Sequence, residues 1–135
     1  MSNDQVPDVP SPAGRTPLTW YILVILICEK IIQHTAVTLA FFYNWNGIHS
    51  RVAVNPNILM ALGAVLAVLF VVSLWGMIRR QKWAMSLLVG LAIFDIVGEF
   101  LAQGVFAIVI TISFLVAVAI LILTLIYRRQ SSIKD

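Results

Sequence analysis

Three ionisable side chains lie close together inside a long apolar run near the start of the chain. They are Glu29, Lys30 and His34, in the segment CEKIIQH, with apolar residues before and after it. A charge at the centre of a membrane-spanning helix costs roughly 2.5 to 3.5 kcal/mol on insertion scales, so a simple anchor would not contain them. A carboxyl, an amine and an imidazole can instead pair with partners, bind a cation or transfer a proton. They are therefore the first candidates for a functional site.

These side chains form two rows when the run is drawn as a helix. At 100° per residue, Glu29 and Gln33 lie about 40° apart, and Lys30 and His34 form a second pair about 100° round the helix. Thr38 extends the second row by one more turn. We predict that Gln33 and Thr38 are polar lining of the same site.

Two acidic residues lie in the third apolar run. Asp95 and Glu99 are four residues apart and share a helix face, which Gln103 continues as a further lining residue. The ten Leu, Ile, Val and Phe residues of this run favour insertion by roughly 3 to 6 kcal/mol, whereas two carboxylates oppose it by about 5 to 7 kcal/mol. The run therefore needs cationic partners to become a stable inner helix.

Depth in the membrane identifies these partners, because the first and third runs cross in the same direction. Lys30 and Asp95 are each 12 residues from the start of their runs, which is roughly 18 Å. His34 and Glu99 are each 16 residues in, roughly 24 Å. If the helices lie side by side, we expect the ion pairs Lys30–Asp95 and His34–Glu99. A slip of one turn would instead pair Lys30 with Glu99.

Composition and run length predict the scaffold that positions these residues. Of the 135 residues, 61% are hydrophobic and 11% are charged, whereas a soluble domain has about 25% charged residues. Crossing the hydrocarbon takes about 20 helical residues. Runs of suitable length cover about residues 18–43, 58–78, 83–103 and 105–127. The predicted fold is an all-α integral membrane protein, a four-transmembrane-helix bundle whose first and third spans form a charged inner seam covered by the second and fourth.

The distribution of cations predicts the orientation. Seven cations lie in an N-terminal tail (1–17), the loop after the second run, or a C-terminal tail (128–135): Arg15, Arg79, Arg80, Lys82, Arg128, Arg129 and Lys134. Four spans put these segments on one side, and Arg51 alone lies in a loop on the other. The positive-inside rule then places both termini in the cytoplasm. We expect the chain to lie in the plasma membrane. The N-terminal tail, with four prolines, is predicted to be disordered. Because the net charge of +3 comes from these flanking clusters, no nucleic-acid partner is expected.

The second and fourth runs contain few polar residues. Their hydroxyls are expected to bond back to carbonyls of their own helices; they belong to Ser73, Thr111, Ser113 and Thr124. Two pairs of small residues four apart would allow helices to approach closely. These pairs are Gly63 with Ala67 and Gly98 with Ala102.

The leading functional hypothesis rests on Glu29. Once Lys30 and His34 are paired with Asp95 and Glu99, no cation remains for Glu29, and an unpaired carboxyl at this depth is a default candidate for proton or cation handling. The sequence therefore favours a proton- or ion-coupled transporter or channel component, with Glu29, His34, Asp95 and Glu99 as the proton- or ion-handling residues. One bundle has little room for a pathway, so we expect a homo-oligomer or a partner membrane subunit in the lipid bilayer.

Three other interpretations remain open. A structural or accessory subunit would use the same ion pairs to fix helix packing. An enzyme would use Glu29 with His34 or Glu99 as an acid–base couple on a lipid; the sequence leans against enzymatic activity without excluding it. A metal site is disfavoured by spacing, because Glu29 and His34 are five residues apart whereas carboxylate-rich bundles use Glu and His three apart. No metal or other cofactor is predicted.

Overall fold

The computed structural model describes residues 18–103 and 112–132. These residues form four long helices and one short 3-10 segment. The helices are α1 (Leu18–Phe42), α2 (Pro56–Ile78), α3 (Lys82–Gln103) and α4 (Ile112–Ser132), and the 3-10 segment is Trp45–Arg51. Each of the four helices is long and apolar enough to cross a membrane, as the sequence predicted. The predicted N-terminal tail and the predicted start of the fourth span near residue 105 lie outside the described residues.

Two helix ends differ from the expected spans. The second helix begins at Pro56, because the Asn55 side chain accepts a hydrogen bond of 3.0 Å from the backbone N–H of Asn57 and proline suits the first helical position. The fourth helix continues through Arg128 and Arg129 to Ser132. Arginine has high helix propensity, and cations are favourable in the last turns of a helix. Much of the basic segment after the fourth span is therefore helical.

The turn between α2 and α3 closes α2 with a Schellman motif. The backbone N–H of Gln81 donates to Gly76 O at 2.9 Å, and that of Arg80 donates to Met77 O at 3.0 Å. Arg80 takes the left-handed conformation at φ 55°, a position that glycine usually fills. The Arg79 guanidinium lies 4.7 Å from the centre of the Trp75 ring. This arrangement places both arginines at one end of the bundle, its basic end.

Consecutive helices run antiparallel. Gly63, early in α2, lies against Thr38, late in α1; the Phe100 and Phe114 rings, at the end of α3 and the start of α4, are 5.9 Å apart. Helix α1 packs against α2 and α4, and α3 packs against the same two helices. Helices α1 and α3 therefore face each other across the diagonal of the bundle. The expected side-by-side seam of α1 and α3 is corrected to a contact across the centre.

Apolar side chains fill the core and also cover the outside. Leu23, Ile27, Phe70, Leu88 and Ile120 are fully buried where the helices meet. Many other large apolar residues on all four described helices are exposed. Such extensive apolar surface would promote association in water, whereas lipid covers it at no cost.

Two glycines of α2 allow close helix contacts. A Cβ added at Gly63 would lie 2.7 Å from Thr38 Oγ1, and one at Gly76 would lie 2.6 Å from the Trp83 ring. The expectation of close packing is thus confirmed at Gly63. At Gly98 an added Cβ meets nothing within 4 Å in the part of the chain that the structure describes, so no close contact requires that glycine there.

Replacement of Gly76 by alanine is expected to destabilise the bundle, while the same change at Gly90 is not. At Gly76 the new methyl would overlap the Trp83 ring, and overpacking lowers the free energy of unfolding by about 1 to 3 kcal/mol. At Gly90 an added Cβ has open space, and the higher helix propensity of alanine raises that free energy by up to about 1 kcal/mol. Equilibrium unfolding in detergent micelles measures both; equal effects of the two substitutions would contradict the described α2–α3 contact.

Candidate functional site

The ammonium group of Lys30 lies at the centre of the bundle and contacts four oxygens. Its Nζ donates to Ser113 O at 2.8 Å, to Ser113 Oγ at 2.9 Å and to Gln33 Oε1 at 3.0 Å. Asp95 Oδ2 is 2.6 Å from the same nitrogen and forms a buried salt bridge with it. Lys30 has no exposed surface and Asp95 is 7% exposed. Three helices thus supply the oxygens that replace water around this charge.

The local helices explain why these groups meet. Lys30 is near the middle of α1 and Asp95 near the middle of α3, so the extended lysine side chain spans the diagonal between them. Ser113 is near the start of described α4, which packs against both α1 and α3. Removing one member of a buried charge pair typically costs 3 to 5 kcal/mol, because the other charge is left without compensation. The network is therefore a strong constraint on helix register.

His34, one turn beyond Lys30, approaches the same carboxylate. Its Nε2 lies 3.4 Å from Asp95 Oδ1, which is longer than an ordinary hydrogen bond and becomes an ion pair when the ring is protonated. The ring stacks on Phe70 with 5.5 Å between ring centres and 17° between planes. Asp95 therefore faces both basic groups of α1. Glu99 is half-buried one turn further along α3 and has a partner of its own; its pairing with His34 stays a prediction.

Ser113 belongs to this network, although its sequence pattern predicted no special role for it. We expected its hydroxyl to bond back to its own helix, as Thr124 does with Ile120 O at 2.6 Å. The Ser113 hydroxyl oxygen accepts from Lys30, while the carbonyls three and four residues before it, to which the expected bond would run, lie outside the described residues. The missed signal is depth: Ser113 lies 14 residues before Tyr127, roughly 21 Å from the basic end and close to the level of Lys30.

Ser73 departs from the same expectation, since its hydroxyl donates to the carbonyl of Ala84 on α3 at 3.4 Å.

The three predicted lining residues have different positions. Gln33 contacts the network directly through its bond from Lys30. Thr38 donates to His34 O at 2.7 Å and packs against Gly63, so it serves the α1–α2 contact. The Gln103 side chain lies outside the described part of the structure.

Glu29 faces away from this centre. It is half-buried, its Oε2 is inaccessible to water, and it makes no hydrogen bond or ion pair within the described residues. It borders a groove of about 600 Å³ along α1, together with Cys28 and Gln33. The remaining lining is apolar: Val24, Ile25 and Ile32. The carboxyl group of Glu29, for which the sequence predicts no cationic partner, thus lies on the outer side of α1, next to Gln33.

The network has limited capacity for other ligands. Among residues 18–103 and 112–132, no group of three or more His, Cys, Asp or Glu side chains is arranged to hold a metal ion. The oxygens at the centre already contact the Lys30 ammonium. Protonation of His34 would add a second positive charge beside Asp95. The chemistry available is therefore charge pairing and proton acceptance.

The described residues define a class of protein by architecture alone: membrane-length apolar helices joined at their centre by a buried salt bridge. Comparisons of the chain with protein-family models, with curated proteins and with solved structures found no match. The site itself must therefore support any functional proposal.

Exchange of Lys30 for methionine is expected to lower the free energy of unfolding by about 3 to 5 kcal/mol, because Asp95 loses its cation in the core. Asp95→Asn should have a similar cost. The double variant should be clearly more stable than the sum of both losses predicts, since neither charge is then left alone. Unfolding in detergent gives the coupling energy. Lys82→Met, at an exposed position, is the matched control; additive losses in the double variant would show that the pair is not coupled.

Replacement of Ser113 by alanine removes one acceptor from the Lys30 ammonium and should cost about 1.5 to 3 kcal/mol, the range for hydrogen bonds to charged groups. Thr124→Val removes a hydroxyl of α4 that bonds only within its own helix and should change stability by less than about 1 kcal/mol. Thermal unfolding of both variants in the same detergent makes the comparison. Similar melting temperatures for the two would contradict a role of Ser113 in holding Lys30.

Proposed function

We propose that the chain is a multi-pass protein of the plasma membrane, with both termini in the cytoplasm, that works as a proton- or ion-coupled transporter or channel component. Membrane-length helices with exposed apolar faces support the membrane location. The concentration of cations at the basic end of the bundle, including Arg79, Lys82 and Arg129, supports the orientation. The observation that supports coupling to protons or ions is the position of Glu29.

Glu29 combines depth with the absence of a partner in the described part of the chain. It lies 11 residues into α1, roughly 17 Å along the helix. An intramembrane carboxyl in this position is expected to exchange a proton or bind a cation, because a permanent unpaired charge there is costly. Its neighbours Gln33 and Cys28 give the adjoining groove its polar atoms. Glu29 is therefore the proposed ion-handling residue.

Gln33 connects Glu29 with the central network. It lies four residues after Glu29 and three after Lys30, so it neighbours both on the helix surface. Its Oε1 accepts from Lys30, which leaves the amide NH₂ available to donate elsewhere. A change of charge at Glu29 would favour or disfavour that donation. In this proposal Asp95, His34 and Glu99 respond to the change rather than lie on the main path.

The centre of the bundle is unsuited to a pathway, because Lys30 and its oxygens occupy it. The proposed route therefore follows the outer side of α1, along the groove at Glu29. A groove on one helix needs a second wall to exclude lipid. We propose that another copy of the chain, or a partner membrane subunit, supplies that wall.

A second function is supported by the complete coordination of Lys30. Four oxygens lie within 3.0 Å of its nitrogen, so the buried charge is already satisfied and requires no ion or substrate as a further partner. Such a network fixes register in a structural or accessory subunit without any turnover. In that case Glu29 would contact a partner subunit and no flux would be found.

Replacement of Glu29 by glutamine should abolish proton-linked flux in proteoliposomes while the protein folds normally, since the amide cannot take up or release a proton. Glu29→Asp keeps a carboxyl and should retain part of the flux. Thr35→Val, on α1 but not among the residues that line the groove, is the matched control and should leave flux unchanged. Flux is measured with a pH-sensitive dye inside the vesicles. A wild-type protein without flux, or a Glu29→Gln variant with full flux, would refute the transport proposal.

A further inference from the structure

A second groove lies between α2 and α3, on helices that do not contribute to the Glu29 groove. It has a volume of about 460 Å³ and is almost entirely apolar. Its lining residues are Leu62, Val65, Leu66, Leu69, Ser86, Leu87, Gly90, Leu91 and Phe94. Leu66 and Leu91 are buried and form its floor, whereas Val65 and Phe94 are about half exposed and form its walls. The groove is therefore open to the surroundings of the bundle along its length.

Gly90 creates much of the space. An added Cβ at this position meets nothing within 4 Å in the described structure, so the two helices do not close over it. This differs from Gly76, where the ring of Trp83 fills the equivalent space. The glycine at position 90 thus leaves a gap that neighbouring side chains of the described residues do not fill.

One end of the groove leads to a positively charged turn. Lys82 is exposed and lies one helical turn before Ser86 on the same side of α3, a rise of about 6 Å. Arg79 and Arg80 precede it in the turn and are exposed as well. Ser86 has the single polar side chain in the described lining of the groove, at the end nearest these cations. Charge and polarity are therefore concentrated at one end of an otherwise apolar groove.

The groove is long enough for an acyl chain of one leaflet. From Lys82 to Phe94 is 12 residues of α3, roughly 18 Å, and Leu62 on α2 is 16 residues before Ile78, roughly 24 Å from the same end. Half of the hydrocarbon core is about 15 Å thick, so the groove extends from near the charged turn past the middle of the membrane. A ligand that fits this pattern has an anionic head and one long apolar chain parallel to the helices. Basic residues next to a spanning helix attract such head groups, each by about a fivefold gain in association.

We propose that the α2–α3 groove binds an anionic phospholipid, with one acyl chain against Gly90 and the phosphate at Lys82 and the neighbouring arginines. The Ser86 hydroxyl then donates to an ester carbonyl below the phosphate. This site rests on the proposed membrane location but is independent of transport through the Glu29 groove. Bound lipid fills the gap at Gly90 and joins α2 to α3 at the basic end.

The test compares brominated lipids as quenchers of tryptophan fluorescence, because Trp75 and Trp83 flank the charged end of the groove. The protein is reconstituted in phosphatidylcholine vesicles that contain a minor fraction of phosphatidylglycerol. The bromine is placed on the acyl chains of one lipid or the other at the same mole fraction. In the wild type, brominated phosphatidylglycerol should quench more strongly than brominated phosphatidylcholine.

Two variants and two matched controls locate the site. Lys82→Gln should reduce the relative association of phosphatidylglycerol about fivefold, and Gly90→Leu should abolish the preference by filling the groove. Arg51→Gln removes a cation from the opposite end of the bundle, and Gly98→Leu adds the same side chain to α3 outside the groove. Both controls should keep the wild-type preference.

Three results would overturn the proposal. The first is equal quenching by the two lipids in the wild type. The second is a preference that Lys82→Gln removes but Gly90→Leu leaves intact, which would indicate attraction of head groups to the basic surface without a chain in the groove. The third is a change of oligomeric state in Gly90→Leu with lipid preference unchanged, which would assign the groove to a second copy of the chain. None of these readouts depends on flux, so failure of the transport proposal is distinguishable.

Discussion

The bundle depends on satisfying one buried ammonium group. Lys30 has no access to solvent, and its charge is stable only because Asp95, Ser113 and Gln33 place four oxygens within 3.0 Å of it. Two of these contacts fix distances between helices: Asp95 holds α3 at the level of α1, and Ser113 holds α4 there, whereas Gln33 lies on α1 itself. A shift of one residue in any of the three helices would separate the charge from an oxygen. The register of α1, α3 and α4 therefore follows from a single side chain.

The diagonal position of α1 and α3 has a functional consequence. A salt bridge between adjacent helices would leave the middle of the bundle free, whereas one between opposite helices occupies it. Apolar side chains such as Phe70 and Ile120 fill the rest of the centre. Ligand-accessible surface is thus found on the outside, in the groove beside Glu29 and in the groove between α2 and α3. Both open on the outside of the bundle, which is why the two proposed sites lie there and not at the centre.

Much of the scaffold could be predicted from the sequence, because a helix has a fixed rise and hydrocarbon has a fixed thickness. The same rise put Lys30 level with Asp95, and the structure has a salt bridge there. Depth does not determine the order of helices around the bundle, and this is why the side-by-side arrangement was wrong. Ser113 was missed because a serine hydroxyl that bonds within its own helix and one that accepts from another helix have the same sequence pattern. The Schellman motif could not be predicted either, because glycine usually marks the left-handed position that ends such a helix and Arg80 occupies it here.

The sequence separation of the partners constrains how the bundle forms. Lys30 and Ser113 are 83 residues apart, so α1 is synthesised long before its oxygens exist. In the proposed membrane location, its thirteen Leu, Ile, Val and Phe residues would favour insertion by roughly 4 to 8 kcal/mol, whereas Glu29 and Lys30 would oppose it by about 5 to 7 kcal/mol. Insertion of α1 alone is therefore close to balanced. Contact with α2, through Gly63 and Phe70, is available early, but it leaves the lysine without an anion. For a chain in the proposed membrane location, helices α3 and α4 would convert α1 from a marginal span to a stable one, so a substitution at Asp95 would act on the insertion of a helix that was made much earlier.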